Sequence, residues 1–174
     1  MRFSEIHRDL FTVNNQKTKE PYGLVHCVSA DFGMYGGIVV GFNQRWNMKE
    51  RLLEEYGDQQ VNFKKHGGLV CPMKVGHVEE AHDRRNIWHI FNEPSYWIYN
   101  LVTKQKVSHK PTYENLEQSL RKLQEFMYQQ DEYKIAMPTI GCGIDGLEWV
   151  KVKGIIQRVF NDTPVEILVC RRIF

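Results

Sequence analysis

The chain has 174 residues, 42% hydrophobic and 25% charged, with a formal net charge of +2 at pH 7. That length suits one domain over residues 1–174 with a sizeable core, and so small a charge gives no reason to expect a nucleic acid or membrane partner from composition. Cys27, Cys71, Cys142 and Cys170 form no CxxC pair, the N-terminus has no apolar leader and no run spans a bilayer, so a reduced, cytoplasmic protein is expected, with the nucleus left open.

Residues 1–6 read as a short opening strand, and the polar stretch 14–20, closed by Pro21, as a surface loop. Residues 22–28 (YGLVHCV) are apolar enough for a parallel strand buried on both faces. A loop carrying Gly33, Gly36 and Gly37 leads into helical periodicity over 38–56, with Ile38, Phe42, Met48, Leu52 and Leu53 as core positions. Residues 68–73 read as a strand and 74–85 as loop. The aromatic-rich runs 86–91 and 96–102, joined by Asn92-Glu93-Pro94-Ser95, read as a hairpin. Pro111-Thr112 opens a helix with Thr112 as N-cap. Tyr113, Leu116, Leu120, Leu123 and Met127 share its apolar face, and Glu117 and Arg121 pair outside it. Residues 133–137 form a strand, 147–160 a helix and 164–170 a closing strand. Strands alternating with helices predict an α/β fold with a mostly parallel sheet.

The stretch MPTIGCGID (137–145) organises the rest, because strand, glycine loop and helix follow one another there. Gly141 and Gly143 let the backbone approach a ligand, and the following helix aims unpaired N–H groups at the loop. Asp145 has two readings: a helix cap or a functional carboxylate. The loop at 29–37 repeats the arrangement, so a ligand with more than one phosphate is expected at the carboxyl ends of the strands. Neither loop matches GxxxxGK[ST] or GxGxxG. A lysine beside desolvating surface can attack a carbonyl-like carbon; Lys104, Lys106 and Lys110 qualify equally on position. His77 and His82, five apart, are not helical metal-ligand spacing, and no nucleophile elbow is present. Trp88, Tyr96, Trp97 and Tyr99 read as hairpin core.

Five blocks then resemble a known family: DLF (9–11), HCVSAD (26–31) with GGI (36–38), LVTK (101–104), SHKPTYENL (108–116) and MPTIGCGID (137–145). In order and content they resemble the terminal ADP-ribose protein glycohydrolase subclass of macrodomains. The resemblance implies a three-layer macrodomain, with a mixed, mostly parallel sheet between helices and ADP-ribose in a cleft across the strand ends. By position, Asp9 and Leu10 would meet the adenine end. Ser29, Tyr35, Gly36, Gly37 and Ile38 would line the pyrophosphate and distal ribose. Thr139, Ile140, Gly141, Cys142, Gly143 and Ile144 would hold phosphate through backbone N–H groups. Lys104 would attack the anomeric carbon of the distal ribose and Asp145 would supply acid–base help. The implied activity is release of terminal mono-ADP-ribose from protein carboxylates or nucleobases. Deacetylation of O-acetyl-ADP-ribose, hydrolysis of ADP-ribose-1″-phosphate and binding without turnover are the alternatives. The chemistry implies no metal and no cofactor, the partner is an ADP-ribosylated protein or nucleic acid, and a monomer is expected. The chain departs from the family at Tyr35, where a glycine is usual, at Cys170-Arg171, where an aromatic often lies near adenine, and in a longer 86–99 hairpin. Arg84, Arg85, Arg171 and Arg172 would offer a nucleobase substrate a basic path.

Overall fold

A computed structural model describes residues 1–15, 20–76 and 95–172. Its strands are β1 (Arg2–His7), β2 (Gly23–Ser29), β3 (Leu69–Val75), β4 (Tyr96–Lys104), β5 (Lys134–Met137) and β6 (Glu166–Arg171). Its helices are α1 (Ile38–Trp46), α2 (Met48–Tyr56), α3 (Gln60–His66), α4 (Tyr113–Gln129) and α5 (Trp149–Phe160), with a 3-10 turn at Leu10–Thr12. The sheet runs β1-β6-β5-β2-β4-β3, parallel except for the β3–β4 pair.

Alternate residues of the inner parallel strands enter two different cores. Ile167 and Val169 of β6 pack with α4 and α5 through Leu116, Leu120, Leu123, Val152 and Ile156. Leu168 and Cys170 face the opposite layer, with Phe42, Met48 and Leu52 of α1 and α2. A strand covered on both faces has no polar side to show, which is why 22–28 reads as continuously apolar. The three-layer macrodomain-like architecture expected from the sequence is the one observed.

Two expectations are corrected. Residues 38–56 are not one helix: Asn47 adopts the left-handed conformation (φ 51°, ψ 45°), ending α1 and starting α2. Asparagine tolerates that region better than other non-glycine residues. The turn leaves Leu53 exposed while Met48 and Leu52 remain buried. α3 was not anticipated; it buries no residue fully, so it carries no apolar periodicity. Thr112 is the α4 N-cap, accepting from the Asn115 N–H at 3.1 Å, and Arg121 pairs with Glu117 at 3.0 Å. The hairpin's first strand at 86–91, with Trp88, lies outside the described residues, as do His77, His82, Arg84 and Arg85. β4 pairs along its length with β3 and, on its other edge, with β2. No helix among the described residues is long and apolar enough to cross a membrane.

Candidate active site

Five parallel strands end at one sheet edge, and the direction of winding changes between β5 and β2. From β5 the chain moves outward through α5 to β6; from β2 it moves the other way toward β4 and β3. At such a switch point the loops leaving adjacent strands diverge and open a crevice. Here they are 30–37 after β2 and 138–148 after β5. Between them lies a cleft of about 1390 Å³.

The first loop is braced by a carboxylate. Asp31 accepts from the Ser29 hydroxyl at 2.5 Å and from the N–H groups of Gly33 and Val107 at 3.2 and 3.3 Å. Phe32 and Met34 take left-handed φ values of 53° and 54° while their side chains are buried. Each such residue carries a strain of about 1–3 kcal/mol, sustained only where the surroundings over-determine it. Gly37 then enters α1 at φ 75°, ψ −156°, a region essentially restricted to glycine, and Ile38, Val39 and Val40 at the start of α1 line the cleft. Phe42 of α1 stacks on His26 of β2 with ring centroids 3.7 Å apart. The His26 Nε2–H donates to Asn100 Oδ1 at 2.6 Å, while Asn100 donates to the Cys71 carbonyl, which fixes the direction of both groups. Complete burial holds the His26 imidazole neutral and pushes its pKa down to about 4, against a smaller opposing effect of its bond to Asn100.

The second loop closes through its own backbone. The Leu147 N–H donates to Gly141 O at 2.9 Å and the Gly146 N–H to Gly143 O at 3.1 Å. The left-handed positions fall on Gly141 (φ 71°) and Gly146 (φ 76°); Gly143 keeps an ordinary φ and opens onto free space. Asp145 does not cap α5, whose N-cap position is Glu148. It accepts instead from Lys104 Nζ at 2.7 Å, with only 10% of the lysine side chain and 16% of the aspartate exposed. A bulge sets the lysine: the β2–β4 register shifts between Val28 and Ser29, so Ser29 pairs with Lys104 rather than Thr103. Bulges re-aim a side chain at a strand end. Lys110 is a different case from Lys104, because its Nζ donates to Ile144 O at 2.5 Å. Cys27 lies beside the pair; burial, then the Asp145 carboxylate, push its thiol pKa far up and keep it neutral.

Of the residues expected to bind ligand, Asp9, Leu10, Ser29, Tyr35, Gly36, Gly37, Ile38, Thr139, Ile140, Gly141, Gly143 and Ile144 line this cleft with Lys104 and Asp145. Cys142 is not part of the wall: its thiol turns back to within 3.2 Å of Ile140 O. Asp9 is partly engaged already, one oxygen accepting from the Phe11 N–H at 3.0 Å. Tyr35 is 74% exposed at the cleft mouth, its hydroxyl 3.2 Å from Lys49 Nζ. Ile144 reaches across to Gly36, where a Cβ would lie 3.0 Å from Ile144 Cδ1. Arg172, expected to offer a basic path, lines the cleft, as do Phe11 of the DLF block and Cys170; Arg8, Met34 and Val107 also line it and were not anticipated. Their common signal is position at or just after a strand end, together with the loop residues that brace it. Arg171, by contrast, pairs with Glu5 at 3.1 Å.

Comparison with known proteins decides the family. An ADP-ribose glycohydrolase, OARD1, from Bos taurus is 36% identical over 146 residues, covering 84% of this chain and 79% of the bovine protein. The chain belongs to the macrodomain family, in its terminal ADP-ribose protein glycohydrolase subclass. Solved structures agree on the fold. The Thermus aquaticus DarG macrodomain superposes with a TM-score of 0.68 at 19% identity, covering 97% of each chain. Thermosipho africanus DarTG, solved in complex with ADP-ribose, gives 0.71 at 17% identity, covering 99% of the macrodomain described here and 42% of that longer chain. No family model matches the sequence.

Proposed function

We propose that this macrodomain is an ADP-ribosyl hydrolase that removes terminal mono-ADP-ribose from modified protein carboxylates or nucleobases, with Lys104 as nucleophile and Asp145 as its acid–base partner. The observation that carries the reading is the recessed 2.7 Å contact between Lys104 and Asp145 in a cleft at the switch point of the sheet. Binding alone requires no such pair. The 36% identity to an ADP-ribose glycohydrolase supports the same chemistry.

At rest the pair is an ammonium and a carboxylate. Passing the Lys104 proton to Asp145 frees the amine, which attacks the anomeric carbon of the distal ribose. The bond from that carbon to the carboxylate or nucleobase breaks, and the departing group takes the proton from Asp145. Asp145, again a carboxylate, takes a proton from water as the water oxygen attacks the same carbon. The carbon–Nζ bond breaks, and the amine recovers its proton from Asp145. The α1 N-terminus and the glycine backbone at 141–143 would hold the pyrophosphate.

The test is release of ADP-ribose from ADP-ribosylated protein and ADP-ribosylated DNA, with mass spectrometry of the enzyme. Wild type should turn over at least one substrate and Lys104→Ala neither; in Asp145→Ala, where solvent can still take the Lys104 proton but no carboxylate activates water for the second step, an ADP-ribose adduct should accumulate on Lys104. Wild-type turnover by Lys104→Ala would refute the lysine mechanism. Binding of ADP-ribose with no turnover by wild type would leave a reader.

A further inference from the structure

The last residue of β4 and the segment after it grip the 141–148 turn at successive points. Lys104 holds the Asp145 carboxylate, Lys110 donates to Ile144 O at 2.5 Å, and the Tyr113 hydroxyl accepts from the Glu148 N–H at 3.0 Å. Lys110 therefore bonds to the carbonyl of the peptide that leads into Asp145. The turn's own backbone bonds join its ends, Gly141 to Leu147 and Gly143 to Gly146, leaving Ile144 and Asp145 at the apex without a backbone bond of their own among the described residues. The Ile144 side chain lies against Gly36, its Cδ1 3.0 Å from where a Cβ there would sit.

The gripping segment is itself stiff. Pro111 is buried and restricts Lys110, the residue before it, to extended backbone. Thr112 caps α4, and Leu116 anchors that helix in the core. Lys110 and Tyr113 thus flank a fixed helix start, and a donor presented from it sets where the apex of the turn sits.

We infer that Lys110 is a positioning residue for Asp145: its bond to Ile144 O holds the peptide that aims the carboxylate, and Tyr113 fixes the far end of the same turn. This rests on the proposed hydrolase reading. A loosened apex displaces Asp145 by a fraction of an ångström to about an ångström, and misplacement on that scale costs up to about 100-fold in rate. The step most sensitive to it is the second, in which Asp145 must direct a water molecule.

The test compares wild type, Lys110→Met, Lys110→Arg, Lys106→Met and Asp145→Ala for turnover, ADP-ribose affinity, melting temperature and adduct on Lys104. Lys110→Met should lose about 10- to 100-fold in kcat with affinity and melting temperature close to wild type. Its Lys104–ADP-ribose adduct should persist during turnover, and Lys110→Arg should recover most of the rate and clear the adduct. Lys106→Met removes the same charge from the same loop, has no bond to the turn among the described residues, and should behave as wild type. Tyr113→Phe should show a smaller loss of about 3-fold, since its bond holds Glu148 at the far end of the turn and not the peptide that leads into Asp145. A Lys110→Met enzyme with wild-type kcat, or an equal loss in Lys106→Met, would overturn the inference while leaving the hydrolase reading intact. Full turnover by Asp145→Ala would remove the role given to Asp145, and this inference with it.

Discussion

The two loops at the switch point have the same plan, strand to glycine loop to helix, and each contains one aspartate. They use it oppositely. After β2, Asp31 points into its own loop and holds Ser29, Gly33 and, across the gap, Val107. That allows Phe32 and Met34 to stay in left-handed backbone with buried side chains. After β5, the left-handed positions are glycines, the loop closes by backbone bonds, and a neighbouring segment grips it from outside. Asp145 is thereby released from structural duty and meets Lys104. A carboxylate can serve chemistry where other groups hold the backbone that carries it.

The largest effect should come from the carboxylate that is free of its loop. Asp145→Ala should reduce ADP-ribose release about 10³-fold, equivalent to about 4 kcal/mol of transition-state stabilisation, with a melting temperature near wild type. A large loss of stability would place Asp145 in the same class as Asp31.

The next largest concerns the floor under the first loop. His26 is buried, and its pKa is pushed down to about 4 from an ordinary 6.5. Between those values the unfolded chain binds a proton that the folded chain does not, so stability is complete above pH 6.5 and falls as the pH drops toward 4. The contribution is about 3 kcal/mol, read as the slope of unfolding free energy against pH. His26→Gln, which keeps a donor for Asn100, should flatten that slope.

Asp31→Ala should cost about 2 kcal/mol of stability, since three donors lose a charged acceptor that is partly buried. Denaturant titration gives the cost, and weaker ADP-ribose binding with an unchanged rate per bound substrate would show that the loop shapes the cleft rather than the chemistry. Smallest is the brace of the second loop: Thr112→Ala should cost about 1 kcal/mol by unfolding α4 at its start. An accompanying fall in kcat would connect that cap to the grip on the turn.

Much of this architecture is legible in the residues because burial writes itself as a pattern. β2 and β6 read as continuous apolar runs because both faces are covered, and the α4 stripe from Leu116 to Met127 reads as a helix packed on one side. The break at Asn47 left a trace in the spacing, since Phe42 and Met48 are six apart and out of helical phase. α3 left none, having no buried face. In the site, Lys104 and Asp145 emerged through motif resemblance. Composition and position alone could not separate Lys104 from Lys110, because the difference is tertiary: one faces a carboxylate and the other a carbonyl. Asp31, inside the HCVSAD block, was given no bracing role for the same reason, since its third partner, Val107, is 76 residues away.

The β1–β6 pairing joins residues 2–7 to residues 166–171 along the strand at the margin of the sheet. During synthesis these are made at opposite ends of the described chain, so β1 waits without its partner while β2, β4 and β5 are produced and can already associate. Joining such distant segments closes a long loop and belongs to the slow part of folding. The corner of the cleft that carries Arg8 and Asp9 follows β1 directly and so depends on that distant pairing. A nascent chain halted before residue 166 would have both Lys104 and Asp145 and still lack one wall of the pocket that brings a ligand to them.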